Sequence, residues 1–299
     1  MVGGTRPAAE VPIDAPLVRR LLKGQFPLWS RLAVRPVESA GWDNVIYRLG
    51  ADLAVRLPRR RIGADQTEKE HQWLPVLGPQ LPFPVPVPVG KGQPGEGYPW
   101  HWTVCAWLPG EVAALAPVAD MRQVAMSLAQ FVRALQAVDP AGGPVSKFRG
   151  GTLAARDPVS QASAAALRGS LDVRPALEAW EAAVAGPAWT GPPVWMHGDL
   201  HPANLLVSNG ELAGVIDFGL LGVGDPACDL MVAWTYLSAE ARQIFRDALT
   251  VDDPTWARGR GWALHLGLMA AAYSADNPVL GNIGWSTIAE VLADSGHSH

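Results

Sequence analysis

The first third of the chain alternates apolar and polar positions as short strands do, after one helix with an apolar face. Asp14 precedes that helix as its cap, and its inward face is Leu17, Val18, Leu21 and Leu22. Strands are predicted over Arg31–Ser39, Val45–Leu49, Leu53–Leu57 and Tyr98–Leu108. Between the last two strands, Ala64–Leu77 has helical spacing, and Pro82–Val89 is extended because proline recurs.

The remaining two thirds of the chain are mostly helical in pattern, with one group of strands inside. Helices are predicted over Val118–Val138 and Pro175–Ala185, and several more follow Leu230. The strands are Val194–Met196, Leu205–Val207 and Leu212–Ile216, and the last two are joined through the turn Ser208-Asn209-Gly210. The pattern therefore predicts an α+β protein.

Candidate chemistry is concentrated in VWMHGDLHPANLLVSNGELAGVIDFGLLGVGDPACDL, residues Val194–Leu230. Asp199 and Asn204 share one loop, and Asp217 follows the next apolar strand. The predicted hairpin brings the last two residues to one edge, where they would hold a metal on nucleotide phosphates. Asp199 would then receive the proton of an acceptor hydroxyl. This arrangement suits magnesium-dependent phosphoryl transfer, which depends mainly on positioning and charge neutralisation.

The specificity of this signal lies in the whole string rather than in its parts. HGD or DFG alone is common, but HGDxxxxN followed at this spacing by IDFG, with apolar strands behind each, is rare by chance. The structural alternative is a hairpin with two capping aspartates and a turn asparagine. We favour a kinase-type active site.

The segments HGDLHPANLL, VIDFG and GVGDPACDL resemble the aminoglycoside phosphotransferases and their kinase-like relatives. The resemblance implies a two-lobed protein-kinase-like fold, with a small antiparallel-sheet N-lobe and a larger, mainly helical C-lobe. Residues 1–108 would form the nucleotide-binding lobe, and residues 109–299 the catalytic and substrate-binding lobe. It also implies Mg2+ and a phosphate donor, ATP or GTP. It implies no particular acceptor, because fold does not fix substrate.

Arg56 stands where protein kinases place a phosphate-binding lysine, and a guanidinium can fork to two phosphate oxygens. The alternative is a solvated strand arginine. The resemblance favours Glu70, rather than Glu68, as its partner. Ser39 and Gly41, in or beside the turn after the first strand, are weaker candidates for phosphate contacts, since the turn lacks GxGxxG.

The strand ending near Pro109 corresponds to the hinge of a kinase-like chain. Backbone groups of Ala106, Trp107 and Leu108 would bind the nucleobase there. Backbone recognition leaves no side-chain signature, so the sequence does not separate ATP from GTP.

Four further residues near the motif are expected to support it. We expect His197 to anchor the loop through the backbone rather than act as acid or base, and His201 to be a minor candidate for phosphate contact. Asp225, which precedes Pro226, is predicted to cap the following helix. Asp229 is expected to brace the catalytic loop.

Composition is that of an ordinary enzyme, with 48% apolar residues, 17% charged residues and a net charge of −4. That charge gives no reason to expect nucleic acid or an anionic membrane as a partner. Cys105 and Cys228 lie in apolar runs and are interpreted as buried thiols, which suits a reducing cytoplasm. The N-terminus lacks a signal pattern. We expect a cytoplasmic monomer or weak dimer.

Rival functions are limited by spacing. Eleven residues separate Asp217 from Asp229, too few for the activation segment of a protein kinase. A binding module without activity is disfavoured because the three polar residues are present. The acceptor is expected to be a small molecule, with an aminoglycoside-type antibiotic leading. A macrolide, a basic peptide antibiotic, or a metabolite such as an amino alcohol or sugar is the alternative.

Two features after Met231 bear on the acceptor. Seven acidic residues and four arginines leave this segment with a net charge of −3, which suits a cationic acceptor. The acids are Glu240, Asp247, Asp252, Asp253, Asp276, Glu290 and Asp294. Its aromatic residues would instead suit an apolar pocket, although most are expected in the core. The tryptophans and tyrosines among them are Trp234, Tyr236, Trp256, Trp262, Tyr273 and Trp285.

Overall fold

The computed structural model describes residues 7–37 and 43–296, and the contacts divide the chain into two compact units. One unit comprises Pro7–Pro109 with Val215–Gly219. The other comprises Gly110–Gly214 and the described part of Leu220–His299.

The first unit is built on an antiparallel sheet that has five strands in the described residues, in the order β1-β2-β3-β5-β4. The strands are β1 Val34–Pro36, β2 Asn44–Leu49, β3 Leu53–Pro58, β4 Pro88–Gly92 and β5 Trp102–Ala106. The helices are α1 Ala15–Gln25 and α2 Arg61–Leu77. The strand predicted over Tyr98–Leu108 is shorter in the structure, at Trp102–Ala106. Its start lies after Pro99, which has no N–H to give to a ladder.

The core of this unit lies between α1 and the sheet. As predicted, Asp14 caps α1, accepting a hydrogen bond from the N–H of Leu17 at 2.8 Å. The inward face of α1 packs with sheet residues such as Leu49 and Val55. Burying that apolar face stabilises the helix more than its own propensity does.

The second unit is mainly helical and carries two small sheets in its described part. Its helices are α3 Met121–Gln136, α4 Asp157–Leu167, α5 Arg174–Ala185, α6 Val232–Thr235, α7 Ala239–Leu249, α8 Asp253–Tyr273 and α9 Pro278–Asp294. Its sheets are β6-β8-β9 and β7-β10, from β6 Glu111–Val112, β7 Val194–Met196, β8 Leu205–Ser208, β9 Glu211–Val215 and β10 Gly222–Gly224. The predicted α+β composition is confirmed. The sequence pattern missed α4, β6 and β10.

The predicted hairpin between β8 and β9 is also confirmed. Asn209 and Gly210 have φ of 52° and 81°, so both central residues of the turn have positive φ. A tight two-residue turn of the primed type needs this conformation, which Asn-Gly adopts readily. In the described part of the chain, every helix is too short or too polar to cross a bilayer.

Candidate functional site

The loop that carries Asp199 leaves β7 through His197 and Gly198. Gly198 has φ +83°, and a Cβ there would lie 2.6 Å from the backbone oxygen of Leu220. Only glycine fits this position without displacing backbone. The loop therefore turns sharply at the end of the strand and presents Asp199.

Asp229 holds this turn by its backbone. Its carboxylate accepts hydrogen bonds from the N–H of His197 at 2.7 Å and of Gly198 at 2.8 Å, and it is fully buried. Burial raises the pKa of Asp229, although His197 and the two backbone donors oppose that shift. The predicted brace is present in the structure.

The Asp199 carboxylate is held at both oxygens yet keeps 22% of its side-chain surface exposed. Arg149 Nη2 lies 3.3 Å from Oδ1, and His201 Nε2 lies 3.3 Å from Oδ2. Burial acts to raise the pKa of Asp199, but His201 and Arg149 outweigh it, so the pKa falls well below its usual range. Asp199 is therefore a partly exposed carboxylate that stays ionised.

Asn204 is oriented by Asp199. Its Nδ2 donates to the backbone oxygen of Asp199 at 2.9 Å and lies 3.2 Å from Oδ2. Within the described residues, the hydrogen bonds of this side chain all involve Nδ2. This leaves Oδ1 for a cation, and a carboxamide oxygen is a ligand type that Mg2+ accepts.

The two histidines of the loop are internal to it. Asp199 N–H donates to His197 Nδ1 at 3.2 Å, so His197 makes the backbone contact expected of an anchor. Ala203 N–H donates to His201 Nδ1 at 3.3 Å, and the other ring nitrogen, Nε2, lies beside Asp199. His201 is only 5% exposed, so its ring serves the loop and Asp199.

Asp225 has two roles in the described structure. As predicted, it caps the following turn, accepting a hydrogen bond from the N–H of Ala227 at 2.9 Å. It also forms a buried, two-pronged ion pair with Arg258, at 2.7 and 3.2 Å. No sequence pattern indicated that pair, because its partners lie on separate elements.

In the other unit, Arg56 on β3 pairs with Glu70 on α2. Arg56 Nη1 lies 3.2 and 3.1 Å from the two carboxylate oxygens, and both side chains are buried. Glu68 instead contacts His101 at the surface. Burial opposes the charge on Arg56, but Glu70 and Asp217 outweigh it and raise the pKa of the guanidinium. The predicted pairing with Glu70 is present.

Asp217 extends this group of charges. Its Oδ1 lies 3.9 Å from Arg56 Nη2, and 46% of its side chain is exposed. It has φ +61°, a conformation that aspartate adopts more readily than most residues and that often marks functional positions. An exposed carboxylate such as that of Asp217 is a suitable Mg2+ ligand. The described residues contain no cluster of three or more acidic, histidine or cysteine side chains that could hold a metal by themselves.

Of the predicted hinge residues, Ala106 ends β5, and Trp107 and Leu108 follow it. Ala106 pairs with Leu53, and the N–H of Trp107 donates to the backbone oxygen of Asp52 at 2.8 Å. That N–H is therefore not the donor for a nucleobase, which narrows the prediction to the other backbone groups of the segment. Ser39 and Gly41 lie outside the described residues.

The acidic residues after Met231 are largely paired. Glu290 and Asp294 bind Arg242 at 2.5 and 3.3 Å, and Asp294 also binds Arg260. Further pairs join Arg122 to Glu240 and Arg246 to Asp253, while Asp252 caps α8. These carboxylates have partners within the chain, which weakens the expectation that they receive a cationic acceptor.

Of the six tryptophans and tyrosines named in the same segment, half are buried, namely Trp234, Trp256 and Trp262. Trp234 and Trp262 are each 1% exposed, and the rings of Trp234 and Trp256 lie 4.6 Å apart. Trp285 is 38% exposed. Both cysteines, Cys105 and Cys228, are buried and free.

Arg149 is the residue beside Asp199 that the sequence did not reveal. It lies in the glycine-rich stretch Lys147–Asp157, fifty positions before its carboxylate partner. Nothing in its neighbourhood in the sequence marks an arginine there as buried.

Comparison with known proteins gives the family. The phosphotransferase enzyme family APH matches residues 34–262. The GDP and kanamycin complex of APH(2")-IIia has TM-score 0.70 and 21% identity, covering 93% of this chain and 98% of that one. Macrolide 2'-phosphotransferase MphH from Brachybacterium faecium has TM-score 0.60 and 25% identity, covering 93% and 98%. ADP-bound aminoglycoside phosphotransferase APH(2'')-Ib has TM-score 0.59 and 16% identity, covering 93% and 99%.

No curated protein sequence matches the chain significantly. The family match nevertheless spans most of its length, and the solved structures share its kinase-like fold, with an N-terminal antiparallel sheet and a helical C-terminal region. The chain therefore belongs to the phosphotransferase enzyme family APH, and it is a small-molecule kinase.

Proposed function

We propose that this enzyme transfers the γ-phosphoryl group of ATP or GTP to a hydroxyl of a small molecule, with an aminoglycoside-type antibiotic as the first acceptor class. The observation that carries the proposal is the state of Asp199. Its carboxylate is ionised, held at both oxygens and still 22% exposed. A group held in this way orients a hydroxyl without having to be a strong base.

Asn204 and Asp217 are proposed as the residues that hold Mg2+. Asn204 offers Oδ1, because Nδ2 is bound to Asp199, and Asp217 offers a half-exposed carboxylate. When bound, Mg2+ neutralises charge on the nucleotide phosphates. Two protein ligands would be enough to hold the ion, because Mg2+ usually keeps several waters and binds substrate phosphates.

Arg56 is proposed to bind phosphate oxygens of the donor. Of the two terminal nitrogens of Arg56, Nη1 contacts Glu70, and Nη2 lies 3.9 Å from Asp217. Residues 1–108 would bind the nucleotide. Backbone groups of Ala106, Trp107 and Leu108 would contact the nucleobase, except for the Trp107 N–H, which is bound to Asp52. Residues 109–299 would supply Asp199 and the acceptor site.

Either purine nucleotide is a candidate donor. Solved relatives contain GDP in one case and ADP in another, and the hinge residues of this chain recognise a base through backbone only. Both nucleotides belong in the assay. A nucleoside triphosphate donor also supports the proposal that the enzyme works in the cytoplasm.

A macrolide-type acceptor is the second candidate. Most carboxylates after Met231 are paired with arginines or cap helices, so they offer less to a polycation than their number suggests. A macrolide phosphotransferase is also among the similar structures, at 25% identity. An acceptor with one amine and a large apolar surface would suit such a chain.

A screen of hydroxyl-bearing antibiotics and metabolites tests the proposal. Purified protein is incubated with Mg2+ and ATP or GTP, and the products are analysed by mass spectrometry. We expect one class of compound to gain a single phosphate. If aminoglycosides, macrolides, peptide antibiotics, amino alcohols and sugars all stay unmodified with both donors, the proposed function is wrong.

A further inference from the structure

We propose that Arg149 is a positioning residue of the phosphotransfer reaction, which fixes the orientation of the Asp199 carboxylate. The inference rests on the proposed role of Asp199. Arg149 Nε donates to the backbone oxygen of Gly198 at 2.8 Å, and Nη2 lies 3.3 Å from Asp199 Oδ1. One guanidinium therefore binds the main chain just before Asp199 and the side chain of Asp199 itself.

The arginine is part of the interior, and its charge is not solvated. Only 6% of its surface is exposed, and Nη1 donates to the backbone oxygen of Phe148 at 3.3 Å. Among the described residues, Asp199 is its ion-pair partner. Burying a guanidinium costs several kcal/mol unless it is well paired, so this placement has to be compensated by the contacts it makes.

The backbone around Arg149 is fixed to the strands that lead into the catalytic loop. Val223 N–H on β10 donates to Pro144 O at 2.8 Å, and Asp225 N–H donates to Gly150 O at 2.8 Å. Strand β10 pairs in turn with β7, which ends just before His197. The segment that carries Arg149 is thus hydrogen-bonded to the β7-β10 sheet, from which the loop of Asp199 also leaves.

Arg149 and Asp229 bind different backbone groups of the turn formed by His197 and Gly198. Asp229 accepts from the N–H groups of His197 and Gly198, whereas Arg149 donates to the carbonyl of Gly198. Asp229 makes no side-chain contact with Asp199 among the hydrogen bonds of the described residues. Orientation of the Asp199 carboxylate through Oδ1 is therefore specific to Arg149.

The other carboxylate oxygen, Oδ2, is bound by His201 and Asn204. With Oδ1 held by Arg149, rotation of the carboxylate is blocked on both sides. The exposed edge then faces the solvent in one orientation, where a hydroxyl can dock. An error of about 1 Å at such a position costs on the order of 100-fold in rate.

Arg149→Met removes the charge and the hydrogen bonds to Gly198, Phe148 and Asp199. Arg149→Lys keeps the charge, but a single ammonium cannot bridge Gly198 and Asp199 as the planar fork does. The control is Arg174→Met, which removes an exposed arginine that also pairs with a nearby aspartate, Asp172. Each is assayed for transfer to the acceptor found in the screen and to water, and for nucleotide affinity by calorimetry.

We expect Arg149→Met to lower kcat on the order of 100-fold, with nucleotide Kd within about twofold of wild type. Arg149→Lys should be intermediate, and Arg174→Met should match wild type. In Arg149→Ala, added guanidinium should restore part of kcat, and ammonium should not. This rescue separates positioning from loss of folding, because a misfolded chain does not recover with a small cation.

Three outcomes would overturn the inference: kcat of Arg149→Met within about twofold of wild type, a loss confined to nucleotide affinity, or a loss in Arg149→Ala that guanidinium leaves unchanged. If Arg149→Met does not fold, the lysine variant and the rescue decide. Asp199→Asn is measured alongside. Unchanged turnover in that variant would instead remove the proposed function on which this inference rests.

Discussion

The buried pair of Arg56 and Glu70 makes the most quantitative prediction, through Glu70→Gln. Glutamine keeps the shape of the side chain and one acceptor oxygen but removes the charge opposite Arg56. Removing one partner from a buried ion pair costs about 3–5 kcal/mol. The remaining acceptor and Asp217, 3.9 Å from Nη2, offset part of this loss. We therefore expect destabilisation near the lower limit, about 3 kcal/mol.

The same change should weaken nucleotide binding. Without Glu70, the guanidinium is free to turn fully toward Asp217, and its position for phosphate contact is lost. We expect nucleotide Kd to rise roughly tenfold, which corresponds to about 1.4 kcal/mol. Calorimetric titration with ATP and GTP measures this directly.

Glu68→Gln is the matched control, because it makes the same chemical change two positions away. Glu68 is 54% exposed and its partner is His101 at the surface, so the expected cost is below about 1 kcal/mol. Urea unfolding followed by tryptophan fluorescence compares the two, since Trp102 is fully buried in the same unit. Equal midpoints for the two variants would refute the view that Arg56 depends on Glu70.

Two further predictions concern the proposed metal site and the stability of the folded protein at acid pH. Asp217→Ala should weaken magnesium-dependent nucleotide binding while leaving magnesium-free binding similar; an unaltered metal dependence in titration would contradict its role. Burial lowers the pKa of His265 to about 3 in the folded protein, against about 6.5 in the unfolded chain. The neutral His265 ring therefore contributes its full stability above about pH 6.5, and this contribution is lost as the pH falls toward 3. Between pH 7 and pH 5 the loss is about 2 kcal/mol, and His265→Gln should flatten that pH dependence in urea titrations. An identical slope in the variant would argue against a buried neutral His265.

Much of the fold followed from local patterns. The Asp14 cap, the apolar face of α1 and the Asn-Gly turn between β8 and β9 are decided by neighbouring residues, and the structure contains all three. The short strands β6 and β10 were missed because two or three residues carry no periodicity. The late start of the strand predicted over Tyr98–Leu108 traces to Pro99.

The candidate site divides in the same way. Asp199, Asn204, Asp217 and Asp229 could be proposed as site residues because their spacing forms a recognisable string. Arg149 and the pair of Asp225 with Arg258 were missed because each joins residues far apart in sequence. The charge count after Met231 misled for a related reason, since composition does not show which acids already have arginine partners.

The central claim is that Asp199 directs phosphate to the acceptor, and Asp199→Asn tests it most directly. The amide keeps the size and shape of the side chain but cannot take up the hydroxyl proton. Single-turnover transfer from labelled nucleotide to the acceptor should fall by at least about 100-fold, while the titrated affinity for nucleotide and Mg2+ stays within a factor of two. Transfer at the wild-type rate would contradict the account.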